Sequence, residues 1–122
     1  MRLSNKIQIK KPTESEAALF EKLVSMVQMA KREGLDIEAA FLEELIDACV
    51  LELYFPEEAA AKDLQFITAT AVCLEKTSAP LSKVGIRDFV GHCSARGLGE
   101  KLNRLETESP DLFSVIQKEG TV

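Results

Sequence analysis

The sequence predicts an all-α fold: an antiparallel helix hairpin extended by two to four further helices. Three observations carry that expectation. Apolar residues recur at three- and four-residue intervals over most of 14–76, the spacing that lines one face of a helix. Breakers fall between the periodic runs, at Gly34 and Pro56, where a left-handed helix stop and a first-turn proline are both at home. Strand-like alternation is confined to Lys6-Ile-Gln-Ile-Lys10, enough for one short N-terminal strand.

Each element has a local reason. Thr13-Glu-Ser-Glu16 spells a capping box, with the threonine hydroxyl accepting from the Glu16 amide while the glutamate reaches back. A helix over 14–33 follows, with Phe20, Leu23, Val24, Val27 and Ala30 on one side, and Gly34 ends it. Asp36 is the expected cap of a second helix over 37–54, where Leu42, Ile46, Cys49 and Leu53 step by four, three and four. The link between the two helices is only a few residues long, which favours a hairpin. Pro56, with Glu57 and Glu58 behind it, suits the start of a third helix running to about residue 76. Its expected face is Ala60, Leu64, Ile67, Ala71 and Leu74, with Phe66, Val72 and Cys73 off that line. A fourth helix is expected over 81–94, weakened by Gly85 and Gly91, and Gly97-Leu-Gly99 reads as a break. A short fifth helix over 100–108 would use Leu102 and Leu105, and residues 109–116 form a last helix or strand. Residues 1–12 are thus an N-terminal arm and 13–122 one helical domain, with a hairpin and third helix over 13–76 and a looser part over 77–122.

Composition narrows the function classes. The chain has 122 residues, 46% hydrophobic and 29% charged, the balance of a globular domain rather than a disordered chain. No apolar run approaches the roughly 18 residues that span a bilayer. Residues 1–12 carry cations with no apolar segment behind them, unlike a secretory signal. Three cysteines at wide spacing, Cys49, Cys73 and Cys93, suit reduced thiols in a cytoplasm better than a disulfide framework. The net charge of −5 is unevenly spread: +4 over residues 1–12, −9 over 13–64 and zero over 65–122. An acidic first half repels a duplex, whose binders need basic surface.

No reaction is spelled out. Cys49, Cys73, His92 and Cys93 lack the spacing of a zinc site, and adjacent His92 and Cys93 diverge on a helix. Nor does adjacency in sequence activate a thiolate. Residues 91–97 lack the Lys-Ser/Thr of a phosphate loop. The pairs Glu43-Glu44 and Glu57-Glu58 read as solvated or dipole-facing helix acids. The helices at 81–94 and 100–108, joined at Gly97–Gly99, allow a helix-turn-helix in which Lys101, Asn103 and Arg104 face a DNA groove. Glu100, Glu106 and Glu108 offset those cations.

One stretch says more. Phe20 to Lys31, a short link, and then Phe41-Leu-Glu-Glu-Leu-Ile-Asp-Ala-Cys-Val-Leu-Glu-Leu-Tyr-Phe-Pro56 resemble the C-terminal helical region of N6-adenine DNA methyltransferases and fused type IIG restriction–modification enzymes with a TaqI-like specificity region. Phe41, Leu45, Ile46, Asp47, Val50, Glu52, Leu53 and Tyr54 occupy the places of that family's wording. The likeness covers residues 19–56. The chain has neither the glycine-rich cofactor motif nor the Asn/Asp-Pro-Pro-Tyr tetrad, and no PD-(D/E)xK nuclease site. The resemblance therefore implies a non-catalytic packing or assembly module beside DNA recognition, with no cofactor and with DNA engaged only indirectly. Leu42, Leu45, Ile46, Cys49, Val50, Leu53, Tyr54 and Phe55 are the expected core or partner-facing stripe. The implied partner is a methyltransferase or restriction subunit; a free-standing dimerising or regulatory protein and a helix-turn-helix DNA binder are the alternatives.

Overall fold

A computed structural model describes residues 13–108. They form six helices: α1 (Glu14–Arg32), α2 (Asp36–Tyr54), α3 (Pro56–Ala61), α4 (Ile67–Glu75), α5 (Lys83–Ala95) and α6 (Leu98–Glu108). The all-α expectation holds. The strand at 6–10 and the segment at 109–116 lie outside the described residues.

The hairpin forms where the capping chemistry places it. Thr13 Oγ1 accepts from the Glu16 amide at 3.2 Å, and Glu16 Oε1 accepts from the Thr13 amide at 2.9 Å, closing the box. At the other end Gly34 takes a φ of +77°. The Leu35 amide donates to the Ala30 carbonyl at 2.8 Å and the Gly34 amide to Lys31 at 3.3 Å. Those two bonds make a Schellman stop, which turns the chain and tucks Leu35 into the core. Asp36 does not cap α2 as expected. It is the first helical residue, behind Leu35, whose side chain makes no capping bond; the Schellman turn delivers the chain one residue early, so Asp36 faces the positive helix end instead.

Helix α2 is the hub, packing against α1, α3, α5 and α6. It buries Ala39, Leu42, Leu45, Ala48, Cys49 and Leu51 against Leu19, Leu23, Met26, Val27 and Ala30 of α1. The expected stripe is thereby rotated. Ile46, Val50, Tyr54 and Phe55 are half-buried and rest against the core, Leu53 is half-buried, and Leu51 is inside. Its neighbours on several sides draw in residues that a single stripe leaves out.

The expected third helix is two helices. Residues 62–66 interrupt it, with Asp63 at a φ of +55°. The Leu64 amide donates to Ala59 at 2.8 Å and the Asp63 amide to Ala60 at 3.2 Å, a second Schellman stop in which an aspartate tolerates the left-handed position usually given to glycine. This break resets the helical phase. The buried face of α4 becomes Phe66, Thr70, Cys73 and Thr77, while Ala60 is exposed and Ile67, Ala71 and Leu74 are half-buried.

Beyond α4 the chain is tightly strapped. Thr77 Oγ1 donates to the Cys73 carbonyl at 2.9 Å, Ser82 Oγ donates to the Ala79 carbonyl at 2.7 Å, and the Gly85 amide donates to Ser82 Oγ at 3.0 Å. Ser82 is thus the cap of α5, and helix begins at Lys83 rather than residue 81. Ala79 sits at a φ of +49°. Gly85 is what allows this approach, since a Cβ there would stand 1.9 Å from the Ala79 carbonyl oxygen. Gly97, at a φ of +78°, joins α5 to α6. Its carbonyl accepts from the Lys101 amide at 3.1 Å, so Gly99 lies inside α6 rather than in a break. Leu98, Leu102 and Leu105 seal the core from that side.

Gly85→Ala should destabilise the chain by about 3 kcal/mol or more, the upper range for overpacking, because the obstacle is backbone. Urea unfolding measures this; Gly91→Ala, inside the same helix with open space around it, is the control and should stabilise by up to about 1 kcal/mol.

Candidate functional site: the Glu52 pin and the 62–66 loop

One acid of the family-like stretch, Glu52, has a defined task. Glu52, near the end of α2, is half-buried, and its Oε1 accepts from the amides of Phe66 at 2.5 Å and Ile67 at 2.8 Å. These are orphan donors at the start of α4, where Phe66 provides no side-chain cap of its own. A carboxylate there meets both the amides and the positive end of the helix. The cap comes from fourteen residues earlier in the chain.

The carbonyls of the same loop are held from the opposite side. Lys101 Nζ donates to the Gln65 carbonyl at 2.9 Å and stands 5.7 Å from the Phe66 ring centroid, within cation–π range. Arg104 donates to the Lys62 carbonyl at 2.9 Å. Two of the three residues singled out as DNA contacts, Lys101 and Arg104, therefore fasten α6 to the 62–66 loop. Asn103 is exposed and lines a shallow depression of about 560 Å³ with Ser94, Ala95, Gly97, Gly99 and Glu100. Phe66, over which Lys101 sits, is fully buried. Sequence periodicity missed this arrangement because every partner is backbone and lies 14 to 42 residues away.

The eight residues of the family wording separate accordingly. Leu45 is inside, and Phe41, Ile46, Val50 and Tyr54 rest against the core. Glu52 is the pin, while Asp47 and Leu53 are half-buried.

The thiols come together in the interior. Cys49 of α2, Cys73 of α4 and Cys93 of α5 are free and fully buried. Cys49 Sγ lies 3.9 Å from the buried Thr70 hydroxyl. Burial pushes the Cys49 thiol up to about 12; the Thr70 bond opposes this and the Glu52 charge adds to it. Burial likewise pushes Cys93 up, reinforced by the neighbouring Cys73 and Cys49 thiols. A protonated, water-excluded thiol is a poor nucleophile and a poor metal ligand. Among the described residues no group of three or more His, Cys, Asp or Glu is placed to hold a metal ion, and no helix is long and apolar enough to cross a membrane.

Comparison with family models, with curated proteins and with solved structures returns no match to this chain.

Three outcomes test this geometry. Glu52→Ala should cost about 2 kcal/mol in urea unfolding, the range for hydrogen bonds to a charged group, with the largest loss of hydrogen-exchange protection in 66–75. The thiols fix a pH response. Well below pH 9 Cys49 and Cys93 are protonated whether the chain is folded or not; as pH climbs through 9 the unfolded chain releases protons that the folded chain retains, at Cys49 up to about 12. Stability should therefore fall as pH climbs from about 9, by at most about 1.4 kcal/mol per pH unit per thiol. A thiol-specific chromogenic reagent should find no fast-reacting group in the native chain and all three after denaturation.

Proposed function

We propose that this chain is a non-catalytic helical packing and assembly module, of the kind that ends N6-adenine DNA methyltransferases and type IIG restriction–modification enzymes. The observation that carries this reading is the use to which the family wording is put. Leu45, Phe41, Ile46, Val50 and Tyr54 pack the core or lie against it, and Glu52 commits its carboxylate to two backbone amides. The commitment of Glu52 to two backbone amides supports an architectural use of this stretch. Such a module would support a target-recognition part or a partner subunit and engage DNA only through it.

The half-buried edge of α2, at Leu53 with Ile46 and Val50, is the surface this reading offers to the larger partner. A free-standing dimerising or regulatory protein is the alternative, and exposed apolar residues elsewhere on the chain favour some self-association as well. A helix-turn-helix role would require Lys101 and Arg104 to leave the carbonyls they now hold, at the expense of the α6 contact.

The test is co-expression with an N6-adenine DNA methyltransferase deprived of its own C-terminal helices. A stable complex with restored methylation is expected, and Leu53→Asp should weaken it while leaving the thermal midpoint of the isolated chain nearly unchanged. Absence of any complex, with the chain folded, would sink the assignment.

A further inference from the structure

Ile37 and Val84 are the most exposed large apolar side chains among the described residues, at 82% and 68%, and they stand in opposite electrostatic settings. Ile37 lies in the first turn of α2. Residues 33–44 around it hold Glu33, Asp36, Glu38, Glu43 and Glu44 and no cation. Arg32 stands beside them, and the neighbouring Lys31 is taken by Glu43 at 2.8 Å. Val84 lies in the first turn of α5, close in sequence to Leu81, itself 43% exposed. Residues 76–87 hold Lys76, Lys83 and Arg87 and no acid, with Glu75 and Asp88 at the borders.

The second surface is also rigid. Ser82 ties the loop to the helix through two hydrogen bonds, Gly85 lets the Ala79 backbone press onto α5, and Ala79 is held in a left-handed conformation. Strain of that kind persists only where the surroundings over-determine it. The outcome is a preorganised knob with Leu81 and Val84 outward, a form that loses little entropy on docking.

We propose that the knob at Leu81 and Val84 of one copy docks on the hairpin tip at Ile37 of a second copy. Apolar contact at the centre removes poorly covered side chains from water, and Lys76, Lys83 and Arg87 meet Glu33, Asp36 and Glu38 beside Ile37, which sets orientation and speeds encounter. Each patch is small, so the contact belongs with weak, transient complexes rather than obligate dimers. It is heterologous, joining two different surfaces, and closes into a pair or ring only if the geometry returns on itself. This is independent of the methyltransferase reading, which uses the other end of α2.

Sedimentation velocity of the full chain over a concentration series tests it. Association is expected at low salt and should fade as salt shortens the reach of exposed charges to about a Debye length, ~3 Å at 1 M. Val84→Asp and Ile37→Asp should each weaken it about tenfold or more, with the helical circular dichroism unchanged. Lys83→Glu with Arg87→Glu in one chain, and Asp36→Lys with Glu38→Lys in another, should each lower self-association, and mixing the two should restore it. A chain that is monomeric at every concentration at low salt overturns the proposal. So does association that survives Val84→Asp, because another surface would then be responsible.

Discussion

The Glu52 carboxylate is the interaction on which the arrangement of this chain turns. Helix α4 starts after a loop, without a serine, threonine, aspartate or asparagine at its cap, and its first amides are away from full solvent. Left unsatisfied they would cost more than the helix gains from a short run of internal bonds. Glu52 removes that penalty with bonds of 2.5 and 2.8 Å. In doing so it fixes where α4 begins, hence which of its residues turn inward: Phe66, Thr70, Cys73 and Thr77. Helix α4 packs against α5, so a single carboxylate at the end of the hairpin fixes where the helix that meets α5 begins.

Lys101 and Arg104 complete the same joint from the other side. Both donate to loop carbonyls, so Glu52 of α2 answers the Phe66 amide at the end of the 62–66 segment while α6 answers the Lys62 and Gln65 carbonyls. The joint is polar and directional, whereas the hairpin seam beneath it, Leu23, Met26, Leu42 and Leu45, is apolar and tolerant of small shifts. Burial supplies the driving force, and the charged clamps select one arrangement of the later helices. The three buried thiols fit that division. They behave as small apolar groups in the interior, and the raised pKa values of Cys49 and Cys93 come from burial.

The polar residues of this joint are occupied with structure. Glu52, Lys101 and Arg104, the three charged side chains most open to a chemical or nucleic-acid interpretation, are engaged with backbone. The surface left for recognition is an apolar and electrostatic one: the α2 edge around Leu53, the acidic hairpin tip and the basic knob before α5.

Much of the fold was legible in the sequence. Thr13 with Glu16, Gly34 and Pro56 act through neighbours a few residues away, so their meaning is local; they determined the start of α1, the hairpin turn and the entry to α3. Amphipathic spacing determined that the hairpin would bury Leu23, Leu42, Leu45 and Cys49. Tertiary structure alone decided where α4 is capped, the inward turn of Leu51 and Phe66, and the roles of Glu52, Gly85, Lys101 and Arg104. The physical reason is the same in each case. A helical stripe is a property of one segment, but a cap supplied from fourteen residues away, a glycine kept small by another segment's carbonyl, or a cation drawn to a distant carbonyl exists only once two segments meet.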